Sequence, residues 1–421
     1  MVGDEIIANL LGGIYIKGIK QSRRLISTIS NNEYPFDRIE EVAVNDETLE
    51  VFIPELNKAR IKSGKYLWER YVDFLPFTRM SKEFSLGEGN TPLIQGNDYL
   101  QKFTGVKDLF LKNETQNPTW SFKDRGSLAC IFMAKEMEEV VTATISTGNM
   151  GNSISAYGAK SGINVIVFVP EFTPIEKIKA MTIHGTKVIK VKAPDYSFMK
   201  KRILKLAKKL GLRIVSGNGP IRVEGYKLTA FELYEQMEGT VPDYITVPTS
   251  ACGHIRGIFK GYRELKKAGF IDKLPKMIIV QAKNNSPIVS AIKEGKTQIQ
   301  SFSNFTTIAE AITSGTPMGG NEIIHKAKEF NWLAEDVTEE EILESQKVLG
   351  KAGYFVEPAA ATSVYAVKKL KQSGDIANDA KVLLMLTGSG LKDMEVFKEH
   401  SFDIMESNLH NIKVDLQQLL K

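Results

Sequence analysis

The sequence predicts a doubly wound α/β fold, and two observations carry that prediction. Short apolar runs rich in Val and Ile are nearly continuous rather than alternating, as in Val165-Ile166-Val167-Phe168-Val169, so both faces of such strands are covered. Helical stretches separate most of these runs, and strand–helix–strand repetition on this scale means crossover connections and parallel sheets. At 421 residues the chain has room for two to three domains of about 150 residues. No Pro/Gly-rich linker divides it, which points to domains interleaved in the chain rather than strung in a line.

Residues 1–85 carry weak periodicity, with a helix expected over 53–62, and read as an extension packed on the body. Leu109-Phe110-Leu111 is the first strand of the body, and a helix over 121–137 follows it. A strand over 140–145, a helix over 151–160 and the strand 165–169 come next. Further strands are expected at 187–191, 213–215, 244–247, 277–280 and 382–386.

Apolar residues make up 43% and charged residues 25%, an ordinary soluble mix. Two cysteines, Cys130 and Cys252, are no disulfide framework, and such low usage fits a reducing cytoplasm. No run reaches the roughly 18 apolar residues of a membrane helix. The acidic start Met1-Val2-Gly3-Asp4-Glu5 lacks the basic region of a signal peptide. The net charge is only +5, and the densest basic stretch, Lys200-Lys201-Arg202 with Lys205, Lys208 and Lys209, has Ile203, Leu206, Ala207 and Leu210 interleaved. That is an amphipathic helix with a solvated basic face, so no nucleic-acid partner is expected. Five histidines without a paired CxxC or HExxH give no support to a metal site.

In open α/β sheets, ligands bind where strands end in turns that lead into helices. Four stretches have that form. In Asn117-Pro118-Thr119-Trp120-Ser121-Phe122-Lys123-Asp124-Arg125-Gly126, Ser121 reads as an N-cap, which puts Lys123 in the first helical turn. A cation there opposes the helix dipole, and the resulting fall in pKa suits a neutral amine that attacks an aldehyde. Ser146-Thr147-Gly148-Asn149-Met150-Gly151-Asn152 and Val247-Pro248-Thr249-Ser250-Ala251-Cys252-Gly253-His254 both offer free N–H groups to an anion. Leu386-Thr387-Gly388-Ser389-Gly390-Leu391-Lys392-Asp393 follows the last strong strand. None is a Walker loop or a GxGxxG fingerprint, which weakens a nucleotide-binding reading.

Together these stretches resemble the threonine synthase branch of the fold type II pyridoxal-phosphate enzymes. The likeness runs from Trp68 to Asp393. Leu86-Gly87-Glu88-Gly89-Asn90-Thr91-Pro92-Leu93 is similar to the family's entry motif. Residues 117–126 are similar to NPTGSFKDRG, with Trp120 in place of a glycine. Ile308-Ala309-Glu310-Ala311-Ile312 with Gly315-Thr316-Pro317, then Glu357-Pro358-Ala359-Ala360-Ala361, then residues 387–393, resemble TIAxAI…GxP, EPAxA and TGxGLKD.

The resemblance implies a small-molecule amino-acid substrate, conversion of O-phosphohomoserine and water to threonine and phosphate, and pyridoxal 5′-phosphate as cofactor. It implies a large domain of residues 86–129 and 241–421, a small mobile domain of 130–240, and a homodimer. Lys123 is the implied Schiff-base lysine and proton shuttle. Asn149 is implied to hydrogen-bond the cofactor's ring hydroxyl, and Thr387 to face the pyridine nitrogen. Ser250, Ala251, Cys252, Gly253 and His254 are implied to cradle its phosphate. Thr147 and Gly148 are implied to hold the substrate carboxylate, and Arg222 to clamp its phosphate.

Several positions depart from the pattern. The family's GNxGN phosphate loop is here Ser250-Ala251-Cys252-Gly253-His254, keeping only Gly253, and Met150 stands where a threonine touches substrate phosphate. Trp120 either reshapes the pocket or packs as an aromatic. Cys252 reads as a small, partly buried thiol rather than a reactive one. Glu357 either caps the helix that follows or stands beside the cofactor ring. The departures keep open a related lyase or replacement enzyme, such as a threonine dehydratase or a cysteate-synthase-like enzyme.

Overall fold

The computed structural model describes residues 23–193, 196–302, 306–402 and 404–420; the acidic start at 1–5 lies outside them. Arg24–Ser27 (β1), Glu33–Pro35 (β2) and Leu49–Phe52 (β3) pair antiparallel in the order β2-β1-β3. Leu93–Gln95 (β4) and Asp108–Asn113 (β5) follow. Val141–Ile145 (β6), Asn164–Pro170 (β7) and Lys187–Val191 (β8) make a parallel three-stranded sheet of their own. Tyr244–Pro248 (β9), Lys276–Ala282 (β10), Leu333–Val337 (β11) and Lys381–Leu386 (β12) then join the earlier pair. The result is a six-stranded sheet of order β11-β10-β9-β12-β5-β4, parallel except at β4.

The continuous apolar runs do what two-sided burial requires. Ile245, Val247, Met277, Ile279, Leu383 and Met385 enter one core, while Tyr244, Ile278, Val280, Val382, Leu384 and Leu386 enter another on the opposite face. β11 escapes the sequence reading because it is an edge strand whose Glu335 pairs with Lys293 and Lys369, a polarity that suits an edge. The 213–215 stretch is no full strand: only Ile214 bridges to Ala143. The helix expected over 53–62 is a single 3-10 turn at Leu56–Lys58, because Glu55 takes a left-handed φ of 57° that no helix continues through.

Around the small sheet, Met199, Ile203 and Ala207 of the Tyr196–Lys209 helix form a core with Ala143, Ile145 and Ile214. Lys201, Lys205, Lys208 and Lys209 stay exposed, as a solvated face should, and so do Leu206 and Leu210. Lys200 instead turns inward and donates Nζ to Met318 Sδ at 3.2 Å.

A buried ion network anchors the first turn of the Lys123–Glu136 helix. Arg125 donates Nε to Glu114 Oε2 at 2.8 Å, Nη1 to Glu232 Oε2 at 2.9 Å and Nη2 to Thr91 Oγ1 at 3.1 Å. Glu232 also accepts the backbone N–H of Asn90 at 2.8 Å and of Thr91 at 2.9 Å, and pairs with buried Lys112. The entry motif, the turn after β5 and the lysine motif therefore meet at one guanidinium. Removing one member of such a network strands the others without water. We expect Arg125→Met to lower the unfolding free energy by about 3–5 kcal/mol. The exposed pair of Arg24 with Glu33 should cost under about 1 kcal/mol when broken. Urea denaturation of both variants checks this, and equal losses would contradict it.

Candidate active site

Lys123 opens the Lys123–Glu136 helix, and its cap residue is Phe122 rather than Ser121. The backbone explains the shift. Ser121 bridges to Gly388, Phe122 N–H donates to Thr387 O at 3.1 Å, and the Ser121 hydroxyl is left buried without a hydrogen-bond partner. Ser389 N–H donates to Trp120 O at 3.0 Å, and Glu357 N–H to Gly388 O at 3.1 Å. The turn after β12 thus stitches the start of the lysine helix to the start of the Pro358–Gln372 helix.

The Lys123 amine sits 4.1 Å from the centre of the Phe122 ring and 6.0 Å from that of Tyr226. Burial, first, and the Arg222 cation, second, push its pKa down to about 7, against a smaller pull from Glu357. The depression expected from the helix dipole is therefore present, but burial and a neighbouring cation cause it.

Asn149 faces it from the end of β6, as the first residue of the Asn149–Ser161 helix. Its Nδ2 donates to Glu357 Oε2 at 2.9 Å, a bond between this helix and the start of the Pro358–Gln372 helix. Glu357 makes no side-chain cap for its own helix; the carboxyl is turned to Asn149, and burial raises its pKa.

The third wall is the turn after β9. Cys252 adopts a left-handed φ of 80° ahead of the Gly253–Lys267 helix, whose first N–H groups are open. Gly253 is obligatory, since a β-carbon there would stand 2.0 Å from Gly217 O. His254 stacks on Phe122 with centroids 3.8 Å apart, and neither ring nitrogen has a hydrogen-bond partner. Burial drops its pKa to about 3, so it stays neutral, with one N–H to give. The Cys252 thiol is fully buried and raised, hence unreactive.

Lys123, Asn149, Ser250, Ala251, Cys252, Gly253, His254, Glu357 and Thr387 line one open cleft. Phe122, Gly217, Ala311 and Ile312 also line it, with Pro248, Thr249 and Ile255. Of these Gly217 carries no sequence signal, because its place depends on packing against Gly253. Thr147 and Gly148 precede Asn149 in the turn but do not line the cleft. Arg222 is fully buried, donates Nη1 to Ser127 Oγ at 3.2 Å, and leaves Nε and Nη2 undonated. Trp120 neither lines the cleft nor packs inside: it is 50% exposed, in the left-handed region at φ 63° where the family's glycine is the natural occupant.

A neutral amine, an unpartnered buried imidazole and an open helix N-terminus fit a group that carries both an aldehyde and a phosphate. Among the described residues no cluster of three or more His, Cys, Asp and Glu is placed to hold a metal ion. The cofactor-free protein should combine with an aldehyde at a rate that rises through pH 7, as the Lys123 amine loses its proton. Stopped-flow mixing across pH 5.5–9 checks the midpoint; a rise near the ordinary lysine value of about 10.4 would refute the buried-amine account.

Comparison with known proteins agrees with this geometry. Residues 84–388 match the model of the family described as pyridoxal-phosphate dependent enzyme. Threonine synthase of Methanocaldococcus jannaschii is 40% identical over 77% of this chain and 80% of its own. That of Methanosarcina acetivorans is 37% identical over the same shares, and that of Halalkalibacterium halodurans 35% identical over 78% and 89%. Among solved structures, threonine deaminase isoform 2 of Solanum lycopersicum superposes with a TM-score of 0.64 at 20% identity, over 81% of this chain and 89% of that one. Serine racemase of Dictyostelium discoideum superposes at 0.61 with 23% identity, over 73% and 95%, a likeness of fold. With an amine at Lys123 poised for an aldehyde and a family match that spans most of its length, the chain belongs to the pyridoxal-phosphate dependent enzymes.

Proposed function

We propose that this enzyme is a threonine synthase, a lyase that converts O-phosphohomoserine and water to threonine and phosphate in threonine biosynthesis. The observation that carries the reading is the buried Lys123 amine facing Asn149, Thr387 and the 250–254 turn across one cleft. Its support is a chain 31–40% identical to curated threonine synthases over most of its length.

Bound pyridoxal 5′-phosphate supplies an electron sink for charge that develops at Cα and Cβ of an amino acid. Lys123 would hold that cofactor through its amine and, once released, would take the Cα proton at Nζ, give it up, and then take a Cβ proton. A pKa about 7 is matched to both tasks near neutrality. Phosphate leaves from Cγ, which gains a proton to become the methyl group; water adds its hydroxyl at Cβ after the closed cleft has kept it out, and Cα regains a proton from Lys123. We assign Asn149 to the ring hydroxyl, with Glu357 fixing its amide, and the neutral Thr387 hydroxyl to the pyridine nitrogen. Ser250, Ala251, Cys252, Gly253 and His254 hold the cofactor phosphate by backbone N–H groups, the Ser250 hydroxyl and the imidazole. Thr147 and Gly148 take the substrate carboxylate. Arg222 is assigned the substrate phosphate through its two undonated groups, which requires the cleft walls to shift when substrate binds.

On the same reading residues 86–129 and 241–421 form the large domain and 130–240 a small mobile one. The enzyme is further proposed to act in the cytoplasm as a homodimer.

Incubating the purified holoenzyme with O-phosphohomoserine should yield phosphate and threonine one for one. Ammonia and ketoacid from threonine or serine would instead identify a dehydratase, the alternative that Met150 favours. Lys123→Ala should abolish turnover. Arg222→Met should raise KM for the phosphorylated substrate by about tenfold or more while cofactor absorbance is kept; an unchanged KM would remove Arg222 from the phosphate site.

A further inference from the structure

The chain ahead of the large sheet bridges its two neighbours. Arg213, beside the small sheet, donates Nη1 to Arg38 O at 2.8 Å. Arg256, in the Gly253–Lys267 helix, donates Nη2 to Leu49 O at 2.8 Å, and Lys260 of the same helix donates to Val51 O at 2.7 Å.

Between these anchors Glu41 turns inward. Its Oε2 accepts the Ser216 N–H at 2.7 Å. Its carboxylate lies flat on Gly219, where a β-carbon would stand 2.1 Å from Oε1 and 2.3 Å from Cδ. The 216–219 loop held in this way forms part of the cleft: Gly217 lines it, and the Gly217 carbonyl abuts Gly253 at the head of the 250–254 turn. From the other side Arg256 Nη1 grips Asn218 O at 2.7 Å and Asn218 Oδ1 at 2.9 Å. The loop is clamped between one cation of the large sheet's helix and one carboxylate from the N-terminal segment. The groups that face Glu41 electrostatically include Arg222, Arg213, Lys200 and Cys130.

We propose that Glu41 is a positioning residue for the cofactor: its carboxyl oxygen fixes the 216–219 loop against the 250–254 turn, so the cleft is complete only with the N-terminal segment in place. Glu41 touches neither cofactor nor substrate on this account. It acts through the Ser216 N–H, and what that requires is an acceptor oxygen at a set reach rather than a charge. The inference rests on the cofactor assignment and not on the choice of substrate.

The test is titration of cofactor-stripped full-length protein with pyridoxal 5′-phosphate, read by absorbance, for three variants. Glu41→Ala removes the acceptor, Glu41→Asp withdraws it by one methylene, and Glu41→Gln keeps an oxygen at the same reach. Glu41→Ala and Glu41→Asp should weaken coenzyme binding by about tenfold, and Glu41→Gln should stay within about twofold. An unchanged dissociation constant for Glu41→Ala, or an equal loss for Glu41→Gln, overturns the proposal. Should Glu41→Ala not fold, the contrast between Glu41→Asp and Glu41→Gln decides. A wild-type protein that binds coenzyme but forms no threonine would sink the substrate reading and leave this test standing.

Discussion

The amine of Lys123 is largely withdrawn from water near a second cation, and the rest of the site is arranged around that constraint. A charged lysine in such a place has lost its hydration and gained a repulsive neighbour in Arg222, so the neutral form becomes accessible near pH 7. A neutral amine is a nucleophile and a base; a charged one is neither. The aromatic floor of Phe122, Tyr226 and His254 supplies the burial, and it does so without offering the amine a carboxylate in direct contact.

That floor is stable because the backbone around it is fixed from several directions. The turn after β12 ties the lysine helix to the Glu357 helix, while Arg125 ties it to Thr91 of the entry motif and to Glu114 just after β5. Charge is spent freely on this scaffolding: Glu114, Glu232, Lys112 and Arg125 are all buried, and each is neutralised by the others. Such networks are poor sources of net stability but strong constraints on geometry, since any misplacement leaves an unpaired ion.

Much of the fold was legible because two-sided burial leaves a local signature. β7, β9, β10 and β12 carry apolar residues at successive positions, and no distant partner is needed to see it. β11 was not legible, because an edge strand exchanges that signature for charge. The 53–62 helix was misread because Glu55 adopts a backbone conformation that side-chain pattern does not reveal. In the site, Lys123, Asn149, Thr387 and the 250–254 turn were legible as strand-to-helix turns. What the sequence concealed is pairing over distance: Asn149 meets Glu357 across 208 residues, and Glu41 meets Ser216 across 175. No local pattern encodes either bond: the family resemblance includes both Asn149 and Glu357 but does not pair them.

On the proposed function, position 123, of all the lysines in this chain, joins the cofactor. Borohydride reduction of the coenzyme-loaded protein, followed by proteolysis and mass mapping, tests it most directly. The account predicts one pyridoxyl group per chain, on Lys123. A label on any other lysine, or none in a protein that retains bound coenzyme, would contradict it.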